Sequence, residues 1–252
     1  MLRVAMGQML VEPGAPARNL VRAEAMIGEA AARGAQAIVL PETLDLGWTS
    51  ATAADLAEPL PGARSARLCA IARDKAIVVA AGLTERAGER IYNSALLIDA
   101  DGRIAAMHRK IAELDFARAV YATGSTLGVA ETAIGRVGLG ICADYWTPVL
   151  GLAQAAMGAH VILSPAAWAV PPGFDNAATP YGGEWIASYA TIAQSHGVAL
   201  VGVSNVGPVT SGAWAGHACI GASIAMDRDG TIAARGPFGE EALVIAALSA
   251  PG

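Results

Sequence analysis

An α/β fold follows from two patterns in the chain. Short apolar runs rich in Val, Ile, Leu and Ala alternate with stretches of helical periodicity, as expected for buried strands joined by covering helices. Two Asp-Gly dipeptides set between apolar runs add tight hairpins.

The elements follow in order. RVAMGQML (3–10) reads as a buried strand. From Asn19 to Arg33 the residues Leu20, Ala23, Ile27, Ala30 and Ala31 share one face, while Arg22, Glu29 and Arg33 lie on another. That spacing predicts an amphipathic helix, which Gly34 ends. AQAIVLPE (35–42) is the next strand and closes on Glu42. Residues 64–75 are expected to be helical and AIVVAAGL (76–83) an apolar strand. YNSALLIDADGRIAAMHRK (92–110) reads as two strands around an Asp101-Gly102 turn. RVGLGICAD (136–144) is a strand, 147–158 a helix, and HVILSPAAW (160–168) a strand entering a loop with Pro171, Pro172 and Gly173. A helix from Glu184 to His196 carries Trp185, Tyr189 and Ile192 at core spacing, and Gly197 ends it. VALVGVSN (198–205) is a strand, and CIGASIAMDRDGTIAARG (219–236) a hairpin turning at Asp229-Gly230. No linker, low-complexity tract or internal repeat interrupts the chain, so one domain over residues 1–252 is expected. Pattern alone does not separate one sheet from two.

Composition excludes several functions. With 54% hydrophobic and 15% charged residues over 252 positions, the chain can build a large core without staples. A net charge of −5 and the lack of any basic run argue against nucleic acid, whose phosphates require clustered Lys and Arg. No uninterrupted apolar stretch reaches about 18 residues, so no membrane span is expected. The N-terminus is too short and too polar-flanked for a secretory signal. Cys69, Cys142 and Cys219 have no CxxC spacing, which fits reduced thiols and a cytoplasmic location.

Several strands end on a reactive or polar residue: Glu42, Cys142, Ser164 and Asn205. In α/β folds, sites form at the carboxyl ends of strands, so these residues could share a cleft. In GLGICADYW the Cys142 thiol follows an apolar strand and precedes a helical stretch, where backbone N–H groups favour a thiolate. A free cysteine is more often a small buried hydrophobe. A nucleophilic Cys also needs a base. His108, His160, His196 and His217 stand in no pattern that singles one out, whereas Glu42 ends an apolar strand where desolvation makes a carboxylate more basic. Lys110 closes the strand RIAAMHRK, and its ammonium would stabilise a thiolate or an oxyanion.

LPET, HRK and GICAD, in that chain order and at these separations, resemble the nitrilase superfamily of carbon–nitrogen hydrolases. RVAMGQ, YNSALLID, VILSP, VSNVG and DRDG recur there in similar form, so the resemblance covers essentially the whole chain. It implies a four-layer αββα sandwich, with two sheets face to face and helices outside. It also implies a homodimer or larger homo-oligomer, no metal and no organic cofactor. The implied chemistry uses Glu42 as general base and acid, Cys142 as nucleophile forming a thioester, and Lys110 with the Ala143 N–H to hold the oxyanion. The implied substrate is a small amide or N-carbamoyl compound.

Two departures from the family pattern matter. Relatives often carry a second glutamate seven residues before a glycine resembling Gly124, and here that position is Ala117. Glu113 or Asp115, both close by, could replace it. Relatives acting on N-carbamoyl amino acids place arginines just past the cysteine, whereas this chain has Tyr145 and Trp146, which points to a less anionic substrate. Trp48, Trp168 and the loop around Asn176 are further candidates for an aromatic pocket. Two other readings stay open: nitrile hydrolysis by the same triad, and a weakly active member with a binding or scaffold role.

Overall fold

The structure, a computed structural model, describes residues 1–250. It opens with β1 (Leu2–Gln8), α1 (Pro16–Ala32), β2 (Ala37–Val39), α2 (Ala53–Leu56) and α3 (Ala63–Lys75). Strands β3 (Val78–Ala87), β4 (Arg90–Ile98) and β5 (Ile104–Arg109) follow, then β6 (Val129–Thr132) and β7 (Gly135–Leu139). The second half holds α4 (Val149–Ala156), β8 (Val161–Ala166), β9 (Ala169–Val170), α5 (Gly183–His196), β10 (Ala199–Ser204) and β11 (Val206–Pro208). It closes with β12 (Ala218–Ile220), β13 (Ile224–Met226), β14 (Ile232–Arg235) and β15 (Ala242–Leu248). Short 3-10 helices lie at Asp115–Ala119 and Cys142–Tyr145.

The strands form two six-stranded sheets, which decides between one sheet and two. One runs β15-β1-β2-β3-β4-β5 and the other β14-β13-β10-β8-β7-β6. The central strands β1-β2-β3 and β10-β8-β7 are parallel, and the flanking pairs are antiparallel. The sheets face each other, with β1 against β10 and β3 against β8. Helices α1 and α3 cover the first sheet, and α4 and α5 cover the second. This is the expected αββα sandwich.

Period-two alternation builds the layers. Val4, Met6, Ala37, Val39, Val78 and Ala80 belong to the core shared with the second sheet. Their chain neighbours Ala5, Ile38, Val79 and Ala81 belong to a second core under α1 and α3, with Leu20, Ile27, Leu68 and Ala72. Adjacent residues on a strand point to opposite faces, so a run that is apolar throughout must be covered on both. Pro16 starts α1, where its missing N–H costs nothing.

The structure also corrects element boundaries. The strand expected over 35–42 ends at Val39, and the one expected over 136–144 ends at Leu139. In both places the chain leaves the sheet before the candidate residue, Glu42 or Cys142. Strand β15 was not anticipated, because ALVIAAL is an apolar run without alternation. The β6–β7 hairpin and the three-stranded sheet β11-β12-β9 rest on strands of two to five residues, too short for a periodic signal. Among the described residues, no helix is long and apolar enough to cross a membrane.

The layering makes a direct test. Ile38→Ala, at a fully buried site under α1, should cost about 2–5 kcal/mol in urea unfolding. Val21→Ala, on the exposed face of the same layer, should change stability by no more than about 0.5 kcal/mol.

Candidate active site

Glu42 reaches its place through a turn pinned to both sheets. The Leu40 N–H donates to the Ala80 carbonyl at 2.8 Å, and the Gly82 N–H to the Pro41 carbonyl at 3.0 Å, fixing the turn on β3. The Glu42 N–H donates to the carbonyl of Ala166, at the end of β8 in the facing sheet, at 3.1 Å. The turn lies so close on β3 that a Cβ at Gly82 would sit 2.5 Å from the Cα of Glu42. Thr43 holds a left-handed backbone at φ 42°, a strained conformation for a β-branched residue.

Lys110 follows β5 and donates its N–H to the carbonyl of Asn93 on β4 at 2.9 Å. Register pairs Ser94 with Arg109, so Asn93 and Lys110 are also neighbours across the strands. Their side chains meet on one atom: Lys110 Nζ lies 2.7 Å and Asn93 Nδ2 2.5 Å from Glu42 Oε1. Glu42 Oε2 is buried without a partner. Glu113 Oε2 lies 3.7 Å from Lys110 Nζ, and neither oxygen of that buried carboxyl has a hydrogen-bond partner among the described residues. Burial works against the Lys110 charge. The negative charges of Glu42 and Glu113 outweigh it and hold the ammonium's pKa well above the ordinary lysine value. Burial, with Glu42 adding to it and Lys110 opposing it, pushes Glu113 up to about 7.

Cys142 sits just past β7 with φ 46°, left-handed for a residue with a side chain. One carboxylate sets that turn. Asp144 Oδ2 accepts the Ile141 N–H at 2.9 Å, and Oδ1 accepts the N–H groups of Ile111 and Ala112 at 3.0 and 2.8 Å. His108 Nε2 donates to Asp144 Oδ2 at 2.8 Å. Asp144 therefore ties the cysteine turn to the segment just after Lys110. Its burial would raise its pKa, but the imidazole and the amide donors hold it below the usual carboxylate value. The Cys142 N–H donates to Ser164 Oγ on β8 at 3.2 Å. Burial and the charge of Glu42 push the Cys142 thiol well up, against the opposing effect of Lys110 and the Ala167 N–H. The Glu42 carboxyl thus stands close enough to the thiol to add to that rise. The Ala143 N–H has no acceptor among the described residues.

A small pocket opens over these groups, with about 20 Å³ of free space. Lys110, Cys142 and Ala143 line it together with Leu114, Ala167, Ala169, Tyr181 and all five tryptophans of the chain. The rings brace one another: Trp168 and Trp185 have centroids 5.1 Å apart, Trp146 and Trp185 5.2 Å, and Trp48 and Trp214 5.3 Å. The indole N–H groups of Trp48 and Trp168 are buried without a partner. Lys110 Nζ stands 5.8 Å from the Trp48 ring centroid.

The structure thus brings Glu42, Lys110, Cys142, Ala143 and Glu113 together, with Trp48, Trp146 and Trp168 around them. Three candidates lie elsewhere. Asp115 points outward with its side chain 98% exposed. Tyr145 is buried behind the cysteine turn, where its hydroxyl donates to Gln154 Oε1 at 2.6 Å and fills the space left by Gly140. Asn176 shapes its own loop, accepting the Tyr181 N–H at 2.9 Å. Asn93, His108, Asp144, Trp185 and Trp214 were not singled out as site residues. Asn93 and Asp144 lie inside the quoted segments YNSALLID and GICAD, whereas Trp185 has the spacing of an ordinary core residue. Among the described residues, no three His, Cys, Asp or Glu side chains are grouped to hold a metal ion.

Taken together, the architecture is that of a four-layer α/β sandwich whose facing sheets deliver a carboxylate, an ammonium and a thiol to one buried pocket. The chain belongs to the carbon-nitrogen hydrolase family, whose sequence profile matches residues 3–251. It is 34% identical to a nitrilase of Pyrococcus abyssi (strain GE5 / Orsay), over 68% of this chain and 67% of that protein. It is 30% identical to a chloroplastic omega-amidase of Arabidopsis thaliana, over 62% of this chain and 46% of that one. The match thus spans about half the length of the plant relative. Among solved structures, a carbon-nitrogen hydrolase from Helicobacter pylori G27 superposes with a TM-score of 0.88 at 23% identity, covering 97% of this chain and 88% of that one. A mutant of the amidase from Nesterenkonia sp. AN1, with acrylamide added at its active-site cysteine, gives 0.84 at 24% identity, covering 99% and 94%.

The pKa of Glu113 yields a stability test. A carboxyl raised from 4.5 to about 7 on folding contributes stability that is fully present below about pH 4.5 and lost as pH rises through 7. The stability of Glu113→Gln relative to wild type, followed by denaturant melts, should therefore climb between pH 4.5 and 7, by about 3 kcal/mol at most. A difference that stays flat over that range would mean the carboxyl is ionised throughout.

Proposed function

We propose that this chain hydrolyses the C–N bond of a small amide through a thioester on Cys142. The supporting observation is the buried arrangement in which Glu42 pairs with Lys110 at 2.7 Å and lies beside the Cys142 thiol. Glu42 takes the thiol proton as Sγ attacks the amide carbon. The oxyanion that forms faces two donors, the Lys110 ammonium and the Ala143 N–H. Collapse breaks the C–N bond, and Glu42 returns the proton to the leaving nitrogen, releasing ammonia or an amine. A water molecule then gives its proton to Glu42 and adds to the thioester, and collapse frees the acid and regenerates the thiol. Glu113 is assigned the place of the family's second acid, beside the far side of the Lys110 ammonium.

Amides are favoured over N-carbamoyl amino acids, because no arginine lines the pocket to clamp a carboxylate. Nitrile hydrolysis is the second reading, favoured by the likeness to the P. abyssi nitrilase. An amide and its matching nitrile, assayed side by side for product and rate, separate the two. We further read the chain as one catalytic domain acting in the cytoplasm as a homo-oligomer. The free cysteines support the location, and the exposed Val149 and Met157 on the outer layer support the association.

Incubation with an amide substrate at low pH should give an acyl adduct on Cys142, visible in the intact mass and located by peptide mapping. Cys142→Ala should lose both the adduct and at least about 1,000-fold in kcat, and Glu42→Gln about 100-fold or more. Turnover that survives Cys142→Ala would rule out the thioester route.

A further inference from the structure

We infer that His108 is a positioning residue for the oxyanion site: its hydrogen bond to Asp144 holds the turn that presents the Cys142 thiol and the Ala143 N–H beside Lys110. The inference rests on the amidase reading above and names the side chain that keeps the two oxyanion donors in register.

His108 does not act on a substrate directly. It is 3% exposed and takes no part in the walls of the pocket over Cys142. Its ring borders a separate cavity of about 200 Å³, between β5 and the chain leading into β6. One ring nitrogen is engaged: Nε2 meets Asp144 Oδ2 at 2.8 Å, while Nδ1 has no hydrogen-bond partner among the described residues. The Asp144 side chain it holds is fully buried. Four donors reach the two oxygens of that carboxylate: the Ile141 N–H and His108 at Oδ2, and the N–H groups of Ile111 and Ala112 at Oδ1. Three of the four are backbone groups, so His108 is the one side chain that offsets the buried charge.

Removing that donor would be felt at the nucleophile. Burial raises the pKa of Asp144, and the His108 hydrogen bond is the largest influence holding it down, so without the imidazole the carboxyl takes a proton more readily. A protonated carboxyl must donate its O–H, yet its remaining neighbours are three N–H donors. The group then has to turn, and the Ile141 N–H, which shares Oδ2 with His108, loses its acceptor. Ile141 leads into Cys142, held at a left-handed φ of 46°, and then into Ala143, whose N–H has no acceptor among the described residues. Loosening Ile141 therefore shifts one oxyanion donor against the other, Lys110, which stands two residues after His108 just past the end of β5. Donors aimed at an oxyanion act in the transition state more than in the bound amide, so the loss falls on kcat and leaves KM.

Three variants test this. His108→Gln carries an amide N–H that reaches the place of Nε2, His108→Leu fills the space without a donor, and Asp144→Asn removes the charge that His108 meets. Ammonia release from acetamide and propionamide gives kcat and KM. Acetaldehyde gives a readout without turnover: the thiol adds across its C=O bond, sulfur bonding to carbon and the proton passing to oxygen. The tetrahedral adduct shields Cys142 from iodoacetamide, as read by peptide mass. His108→Leu and Asp144→Asn should each lose about 10-fold or more in kcat and in acetaldehyde affinity, with KM within about 2-fold, while His108→Gln stays within about 3-fold of wild type throughout. The double variant His108→Leu with Asp144→Asn should lose little more than either alone, because one residue acts through the other. If His108→Leu does not fold, Asp144→Asn against His108→Gln carries the same comparison. The inference is overturned if His108→Leu or Asp144→Asn keeps wild-type kcat and acetaldehyde affinity, if His108→Gln falls as far as they do, or if the two losses add in full. The expected order in acetaldehyde affinity, with no ammonia from either amide, would uphold the positioning role and sink the amidase reading instead.

Discussion

Lys110 and Glu42 meet at 2.7 Å with each residue 1% exposed, and neither charge would be tolerated there alone. An ion stripped of water inside a protein costs several kcal/mol, which a close partner with good geometry offsets. Each group therefore fixes the other. Asn93 removes the remaining freedom by donating to the same oxygen, which leaves Glu42 Oε2 buried without a partner. The site's order has one origin: two polar side chains, Lys110 and Asn93, donate to one buried carboxylate oxygen.

That arrangement can exist only if both sheets hold still relative to each other, and the backbone shows how they do. Glu42 comes from the first sheet, yet its N–H is bonded to the end of β8 in the second. Cys142 comes from the second sheet, yet Asp144 beside it accepts two N–H groups from the segment that follows Lys110 on the first. The sheets are thus cross-linked at the carboxyl ends of their central strands, where the reactive groups sit. Left-handed backbone at Thr43 and Cys142 is the cost of turning the chain sharply at those ends. The cross-links are what hold that strain in place.

Much of this was legible in the sequence, for identifiable reasons. Continuous apolar runs such as AIVL and AIVVAAGL can be satisfied only by cover on both faces, so the layered α/β class followed from composition and period. Glu42, Lys110 and Cys142 stood out because each falls at the end of an expected strand. Asn93 and Asp144 escaped notice because polar residues inside a strand or a turn carry no periodic signal, and their partners lie in other elements. Trp185 was read as core for a related reason: helical spacing reports that a face is covered, not whether the cover is protein or substrate. Tyr145 erred in the opposite direction. Nearness in sequence to Cys142 suggested the pocket, but the 3-10 turn carries it behind the nucleophile and onto Gln154.

Ala117 is where the chain departs most clearly from the pattern of its relatives. The position is fully buried among aromatic and aliphatic neighbours, Trp48 and Tyr121 in the same cluster, so it is packing rather than a lost acid. A carboxyl arrives instead from Glu113, three residues past Lys110, close enough to feel the ammonium but too far to hydrogen-bond it. The gap has an electrostatic consequence. While Glu113 is protonated, the ammonium faces one carboxylate and retains positive potential for an oxyanion. Once Glu113 ionises, near pH 7, two carboxylates compete for that charge and the oxyanion becomes a third. On the reading proposed above, the strength of the oxyanion site would therefore depend on pH.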